Sequence, residues 1–466
     1  LLNTLAMSEP LHRSLRDAVL SLLAMLATLA CTQWLEPGPA SGVLGAVLSL
    51  SLARSHLADA RRGAREALFA LPLVALACVG VGALLRSAPW PGALVFVAGM
   101  ALSIWIRRFG ARPSRLGALV ALPLMTILVV PQLPQRAGML PAPIVPVAVA
   151  LLALACVLLA QVLGRRLRWI EVQAVADVAA PVPAASAMRP SPHARMAVQM
   201  AVALAAAFAI GYLVFAPHWR WIVLTAFIVN SGNRGRQDVV YKSVLRVFGA
   251  AAGSVAAAAV AGFVPQAGPA LAALVLASVF LGVWLRPAGY GWWALFLTLA
   301  LALLQAFQPA GVPLLLWQRL LEIVLGAAIG LAAAWFVLPI RSTDVLRKRI
   351  AEALAAIADA LDPQATERRA DSVVAAIRRV EQLRPSFRAR QLALRRWQPL
   401  QPDDWIALLA DCEAPVVALV QRAETPGAVR KAVGAARQSL REPARIGPAL
   451  AALRQALASA GATGAR

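Results

Sequence analysis

Two strings in this chain carry residue types that can hold an anion. The first is NSGNRGRQDVVYKSVLRVFG, Asn230–Gly249, which supplies Arg234, Arg236, Lys242 and Arg246, with Asp238 to balance one of them. A guanidinium is a planar fork of N–H donors that matches a carboxylate with two parallel hydrogen bonds. Arg246 immediately precedes an apolar run and is therefore expected to face neighbouring helices rather than open water. The second string, RPAGYGWWALFLTLALALL from Arg286, has Pro287, Gly289 and Gly291 interrupting the helix beside Tyr290, Trp292 and Trp293. An arginine beside three rings can take an aromatic carboxylate by charge and stacking together. The bland alternatives are that the rings anchor a helix at a membrane surface and that the arginines only fix helix orientation. The candidate anion-binding residues are Arg246, Arg234, Arg286, Tyr290 and Trp293. Arg319 and Glu322, one turn apart, are expected near the outer end of the last apolar stretch as an interfacial ion pair.

Catalytic chemistry finds no such support. GxSxG, HExxH and a phosphate-binding Gly-rich loop with a Lys are all missing from the sequence, and His12, His56, His193 and His218 are scattered. Cys31, Cys78 and Cys156 fall in apolar stretches and Cys412 in the tail, without a CxxC spacing. No enzymatic activity, metal or cofactor is expected.

The elements that must position the basic residues are apolar. Residues of the hydrophobic class make up 60% of the chain and charged ones 14%, with a mean hydropathy of +0.70, far from soluble domains. Twelve stretches stand out: 18–35, 39–53, 67–85, 91–106, 116–133 and 142–163, then 196–216, 219–231, 247–264, 269–285, 292–308 and 317–338. A hydrocarbon core about 30 Å thick needs roughly 20 helical residues, so 39–53 and 219–231 are marginal. Ala- and Leu-rich runs of this length read as helices, not barrel strands. Lys and Arg outside the stretches alternate, twenty on one side against four on the other (Arg86, Arg136, Arg220 and Arg319). This places both termini in the cytoplasm. The net charge of +23 reflects that asymmetry and a basic tail, so membrane lipids rather than nucleic acid are the expected neighbours. A cleaved signal peptide is disfavoured, and Met7 is the expected natural start.

The two halves repeat. SIWIR at Ser103–Arg107 matches GVWLR at Gly282–Arg286, and Arg54 and Arg65 keep nearly the same offset from Arg234 and Arg246. An even number of helices per half gives copies of one orientation, related by an axis along the membrane normal. Gly249 and Gly253, and Gly326 and Gly330, form GxxxG pairs that let helix backbones approach closely. These two helices are expected to meet each other or their symmetry mates. The fold class is thus an all-α polytopic membrane protein with about 12 transmembrane helices in two parallel six-helix repeats, plus a C-terminal cytoplasmic helical domain. Its parts are a cytoplasmic N-terminus (1–17), a first repeat (18–163), a flexible linker (164–195), a second repeat (196–340) and the domain (341–466). In that domain Leu346, Ile350, Leu354, Ile357 and Leu361 make a helical stripe, and prolines divide the remainder into short amphipathic helices.

The order basic loop, YKSVLRVFGAAAGSVAAAAV (Tyr241–Val260), RPAGYGWWALFLT turn and LEIVLGAAIGLAAAWFVLPI (Leu321–Ile340), followed by an amphipathic helix, resembles the fusaric acid resistance protein family of the aromatic acid exporter superfamily. The similarity is clear over about 195–365 and fainter in the first half, where Arg65 aligns without the glycine pair. Arg246, Gly249 and Gly253 match the start of the third helix of the family's repeat and Pro339 the end of its sixth. Ala250 stands where the family often has Thr. The resemblance implies a bacterial inner-membrane exporter of small organic anions, aromatic carboxylic acids above all, that confers resistance to them. Its expected partners are the anion itself and lipid, with a homodimer mate and a periplasmic adaptor subunit as further candidates. A proton gradient is the expected driver, with passive anion flux as the alternative. Two rival readings remain: a major-facilitator-type transporter, suggested by LADARRGAREAL at Leu57–Leu68, and a non-transporting membrane scaffold.

Overall fold

The computed structural model describes residues 2–35, 38–54, 61–129, 141, 143–169, 191–215, 218–261, 263, 268–305, 312–364, 370–394, 402–422 and 424–463, among which no strand occurs. The apolar region folds into α1 (Leu2–Leu35), α2 (Pro39–Arg54), α3 (Arg61–Ser87), α4 (Pro89–Trp105), α5 (Ala111–Val129), α6 (Val145–Arg166), α7 (Pro192–Val214), α8 (Trp219–Asn230), α9 (Arg236–Ala261), α10 (Pro269–Trp284), α11 (Tyr290–Gln305) and α12 (Val312–Phe336). Eight of these are long and apolar enough to cross a bilayer, while α2, α8, α10 and α11 are shorter. Their outward faces are apolar too: Phe69 is 74%, Leu94 71% and Phe248 70% exposed. Contiguous exposed hydrocarbon of this kind is stable against lipid and not against water. The chain is a multi-pass membrane protein. Most of the linker, residues 170–190, lies outside the described residues.

Helix starts differ from the hydropathy boundaries where it matters most. α9 begins at Arg236, well before the apolar run at Val247, and α12 begins at Val312 rather than Trp317. The backbone hydrogen-bond ladder does not depend on side-chain polarity, so a helix continues through polar turns until a backbone signal stops it. Before α9 that signal is Gly235, held at φ +117°. Before α12 it is Pro313, favoured in a first turn because that turn needs no N–H from it.

Several helix pairings recur between residues 2–166 and residues 192–336. In the first set α1 packs on α2 and α6, α2 on α6, α3 on α5 and α4 on α5. In the second, α7 packs on α8 and α12, α8 on α12 and α10 on α11. Between the sets, α4 packs on α7 and α1 on α10, so first and fourth helices exchange partners. α4 and α10 both end on a tryptophan, Trp105 and Trp284, run into a 3-10 turn, and meet a glycine of positive φ, Gly110 at +118° and Gly289 at +157°.

The glycine pairs do not bring α9 and α12 together. A Cβ on Gly253 would lie 2.5 Å from the Leu295 carbonyl oxygen and one on Gly249 would lie 2.7 Å from the Ala294 Cβ, so α9 presses on α11. A Cβ on Gly326 would lie 2.6 Å from the Ile222 carbonyl oxygen, and one on Gly330 would lie 2.7 Å from the Asn230 amide nitrogen, so α12 presses on α8. The expectation that the two motif-bearing helices meet each other is corrected: each glycine pair faces a different neighbour, because the neighbour's backbone and not a second glycine fills the groove.

A second compact unit contains Pro339–Arg466 together with Asn233–Tyr241. Its helices are α13 (Ser342–Ala360), α14 (Ala370–Glu381), α15 (Arg384–Leu394), α16 (Pro402–Ala410), α17 (Glu413–Gln421), α18 (Gly427–Ser439) and α19 (Pro443–Thr463). The whole stripe Leu346, Ile350, Leu354, Ile357 and Leu361 is fully buried, packed with Ile377, Ile406, Leu409, Val416 and Leu453. Cys412 is enclosed in the same core, where burial pushes its thiol up to about 12, which keeps it protonated and unreactive. The Asn233–Tyr241 segment is tied in by the Arg236 N–H donating to the Ile340 carbonyl (3.1 Å) and the Gln237 N–H donating to Ser342 Oγ (3.0 Å).

Gly253→Ala is expected to destabilise the membrane unit by about 1–3 kcal/mol through forced separation of α9 and α11. Gly80→Ala, whose Cβ would meet nothing within 4 Å, should leave stability unchanged or slightly improved. Thermal midpoints of the detergent-solubilised proteins compare the two.

Candidate anion-binding site

Arg246 lies nearly three turns inside α9, not at its mouth, and is 1% exposed. The close approach at Gly253 brings Thr298 of α11 beside it, and Arg246 Nη1 donates to Thr298 Oγ1 at 3.4 Å. Nε and Nη2 have no hydrogen-bond partner among the described residues. Tyr290, in the first turn of α11, lies within electrostatic reach.

A second guanidinium is buried as well. Arg319 is 3% exposed and within electrostatic reach of both Arg246 and Glu322. Its Cζ sits 4.0 Å from the centroid of the Trp221 ring on α8. Glu322 is 1% exposed, and its Oε1 has no hydrogen-bond partner among the described residues. Because α12 starts at Val312, Arg319 and Glu322 stand about two and three turns into the helix. Both side chains are buried against protein rather than open at the end of the apolar stretch. Just inward, Thr225 of α8 is fully buried beside Gly326, with its hydroxyl unpartnered among the described residues.

Arg234 belongs to the second unit, where Nη1 donates to the Gln382 carbonyl at 2.7 Å and the backbone N–H donates to Asp238 Oδ2 at 3.2 Å. It braces a loop. Arg286 is exposed in the 3-10 turn after α10. Trp293 is half-buried with its ring against Gly282 of α10, 3.3 Å from where a Cβ would stand. The structure therefore gathers Arg246 and Tyr290 of the five, and adds Thr298, Arg319, Glu322 and Trp221. The signals that point to the additions are Pro313, which marks the start of α12, and the i, i+3 spacing that puts Arg319 and Glu322 on one helix face.

Residues 180–333 match the family model described as fusaric acid resistance protein-like. The resemblance read from the residues holds over that span. The matched span contains Arg246, Thr298, Arg319 and Glu322, while the first six helices and the tail lie outside it. No curated protein matches the chain.

Outside that segment a cavity of about 290 Å³ opens among α2, α3, α5 and α6, lined by Leu48, Cys78, Arg86, Pro123, Thr126 and Pro146. Its walls are mostly apolar, and Arg86 is its one charged lining residue.

A buried cation with incomplete hydrogen bonding costs several kcal/mol, and replacing buried charge by a packed apolar side chain is often neutral or stabilising. Arg246→Met is accordingly expected to keep or raise the thermal midpoint of the purified protein while removing anion binding. Arg234→Ala should leave benzoate affinity unchanged, as measured by equilibrium binding.

Proposed function

We propose that this protein exports small organic anions, aromatic carboxylates in particular, across the bacterial inner membrane, and that the Arg246–Arg319 pair holds the carboxylate in transit. The observation that carries the reading is the burial of two guanidiniums within electrostatic reach of each other, with Nε and Nη2 of Arg246 unpartnered among the described residues. Two like charges out of water repel, and a carboxylate between them turns that repulsion into two attractions. The match to the fusaric acid resistance protein-like family supports the same reading.

In this proposal the twelve helices form two parallel six-helix repeats with both termini in the cytoplasm, and Pro339–Arg466 forms a cytoplasmic domain. The shared helix pairings and the matching ends of α4 and α10 support the repeat. The excess of Lys and Arg on one side supports the orientation. Trp221, already stacked on Arg319, is the ring placed to meet an aromatic substrate.

The test is uptake of labelled benzoate and 4-hydroxybenzoate into inverted membrane vesicles carrying the chain. Losing a charge-assisted hydrogen-bond partner costs about 1.5–3 kcal/mol, so Arg246→Ala should lower affinity about ten- to a hundredfold at equal protein level. Uptake that is absent across a panel of acids, or indifferent to Arg246, would sink the proposal and leave the scaffold reading standing.

A further inference from the structure

Among the described residues of the membrane unit, the charged side chains that are buried are Arg246, Arg319 and Glu322. Arginine keeps its charge in proteins, so the set holds two positive charges and one carboxylate. Glu322 stands one helical turn from Arg319 on the same face of α12 and lies within its electrostatic reach. Its carboxylate therefore offsets part of the positive field but not all of it: Nε and Nη2 of Arg246 remain without hydrogen-bond partners, as does Glu322 Oε1. With Glu322 ionised, the group is one negative charge short of neutral.

We propose that Glu322 sets the charge of the transported anion to one, making the site selective for monocarboxylates over dicarboxylates of similar size. This rests on the anion-transport reading above. A monoanion between the arginines neutralises the group. A dianion adds a surplus negative charge in a dry setting close to a resident carboxylate, where like charges repel most strongly. When ionised, Glu322 occupies part of the arginine field before any substrate arrives. Removing it frees that part of the field for a second substrate carboxylate.

Benzoate and phthalate share a ring and differ by one carboxylate, which makes their affinity ratio the readout. The wild-type chain in proteoliposomes at neutral pH should bind benzoate about tenfold or more tightly than phthalate, and Glu322→Gln should shift the ratio towards phthalate by about tenfold. A purely structural role would weaken both ligands together and leave the ratio where it was. The double variant Arg319→Gln/Glu322→Gln keeps a net charge of one and should retain the preference for benzoate, which covers the case in which Glu322→Gln alone fails to accumulate.

An unchanged ratio in Glu322→Gln, or a double variant that favours phthalate, overturns the inference. Loss of benzoate binding in Arg246→Ala alongside an unchanged ratio in Glu322→Gln would retain the site and reject the role of Glu322. Benzoate binding indifferent to Arg246 rejects both.

Discussion

The guanidinium of Arg246, held out of water with two nitrogens lacking partners among the described residues, sets the terms for the second half of the membrane unit. Desolvating such a charge costs several kcal/mol, which the surrounding packing has to offset. The glycine pairs are the means on both sides of the site. Gly249 and Gly253 let α9 reach the backbone of α11, which places Thr298 on the arginine. Gly326 and Gly330 do the same for α12 against α8, which places Thr225 beside Gly326 and the Trp221 ring on Arg319. Motifs that read as packing signals thus turn out to position polar side chains.

The halves are alike in pairing and unlike in chemistry. Arg65 keeps the sequence offset of Arg246 but sits in the first turns of α3 and is exposed, because α3 starts only four residues before it. Where α9 meets α11 through glycines, α3 meets α5 through an ion pair, Arg115 Nε to Glu66 Oε2 at 3.0 Å, partly open to solvent. The cavity lies among helices of the first set. Among the described residues of the membrane unit, the buried charged ones are Arg246, Arg319 and Glu322, within the span that matches the family model.

The sequence revealed the elements better than their ends, and the ends decided the site. Hydropathy located every apolar helix, and the Leu346–Leu361 stripe identified a buried face residue by residue. Arg246 was legible because an arginine followed directly by an apolar run has to face protein. The burial of Arg319 and Glu322 was not legible, because a hydropathy window starts where apolar residues begin, whereas α12 starts at Val312. Nothing in the local sequence records that Arg234 braces a loop on Gln382, that Arg286 lies in an exposed turn or that Trp293 packs on Gly282. Such facts depend on long-range pairing, which no local window contains.

α8 has 12 residues, a rise of about 18 Å against a hydrocarbon thickness of about 30 Å. Its start is polar, with His218 Nδ1 and Gln318 Nε2 3.1 Å apart, and Arg319 follows immediately. A bilayer thins, or water dips, to meet so short a helix. A transmembrane voltage that falls over about 18 Å rather than about 30 Å gives a field about 1.7 times steeper for the same total drop of about 2.3 kcal/mol per 100 mV. A short helix beside the arginines makes the site a place where membrane potential is concentrated.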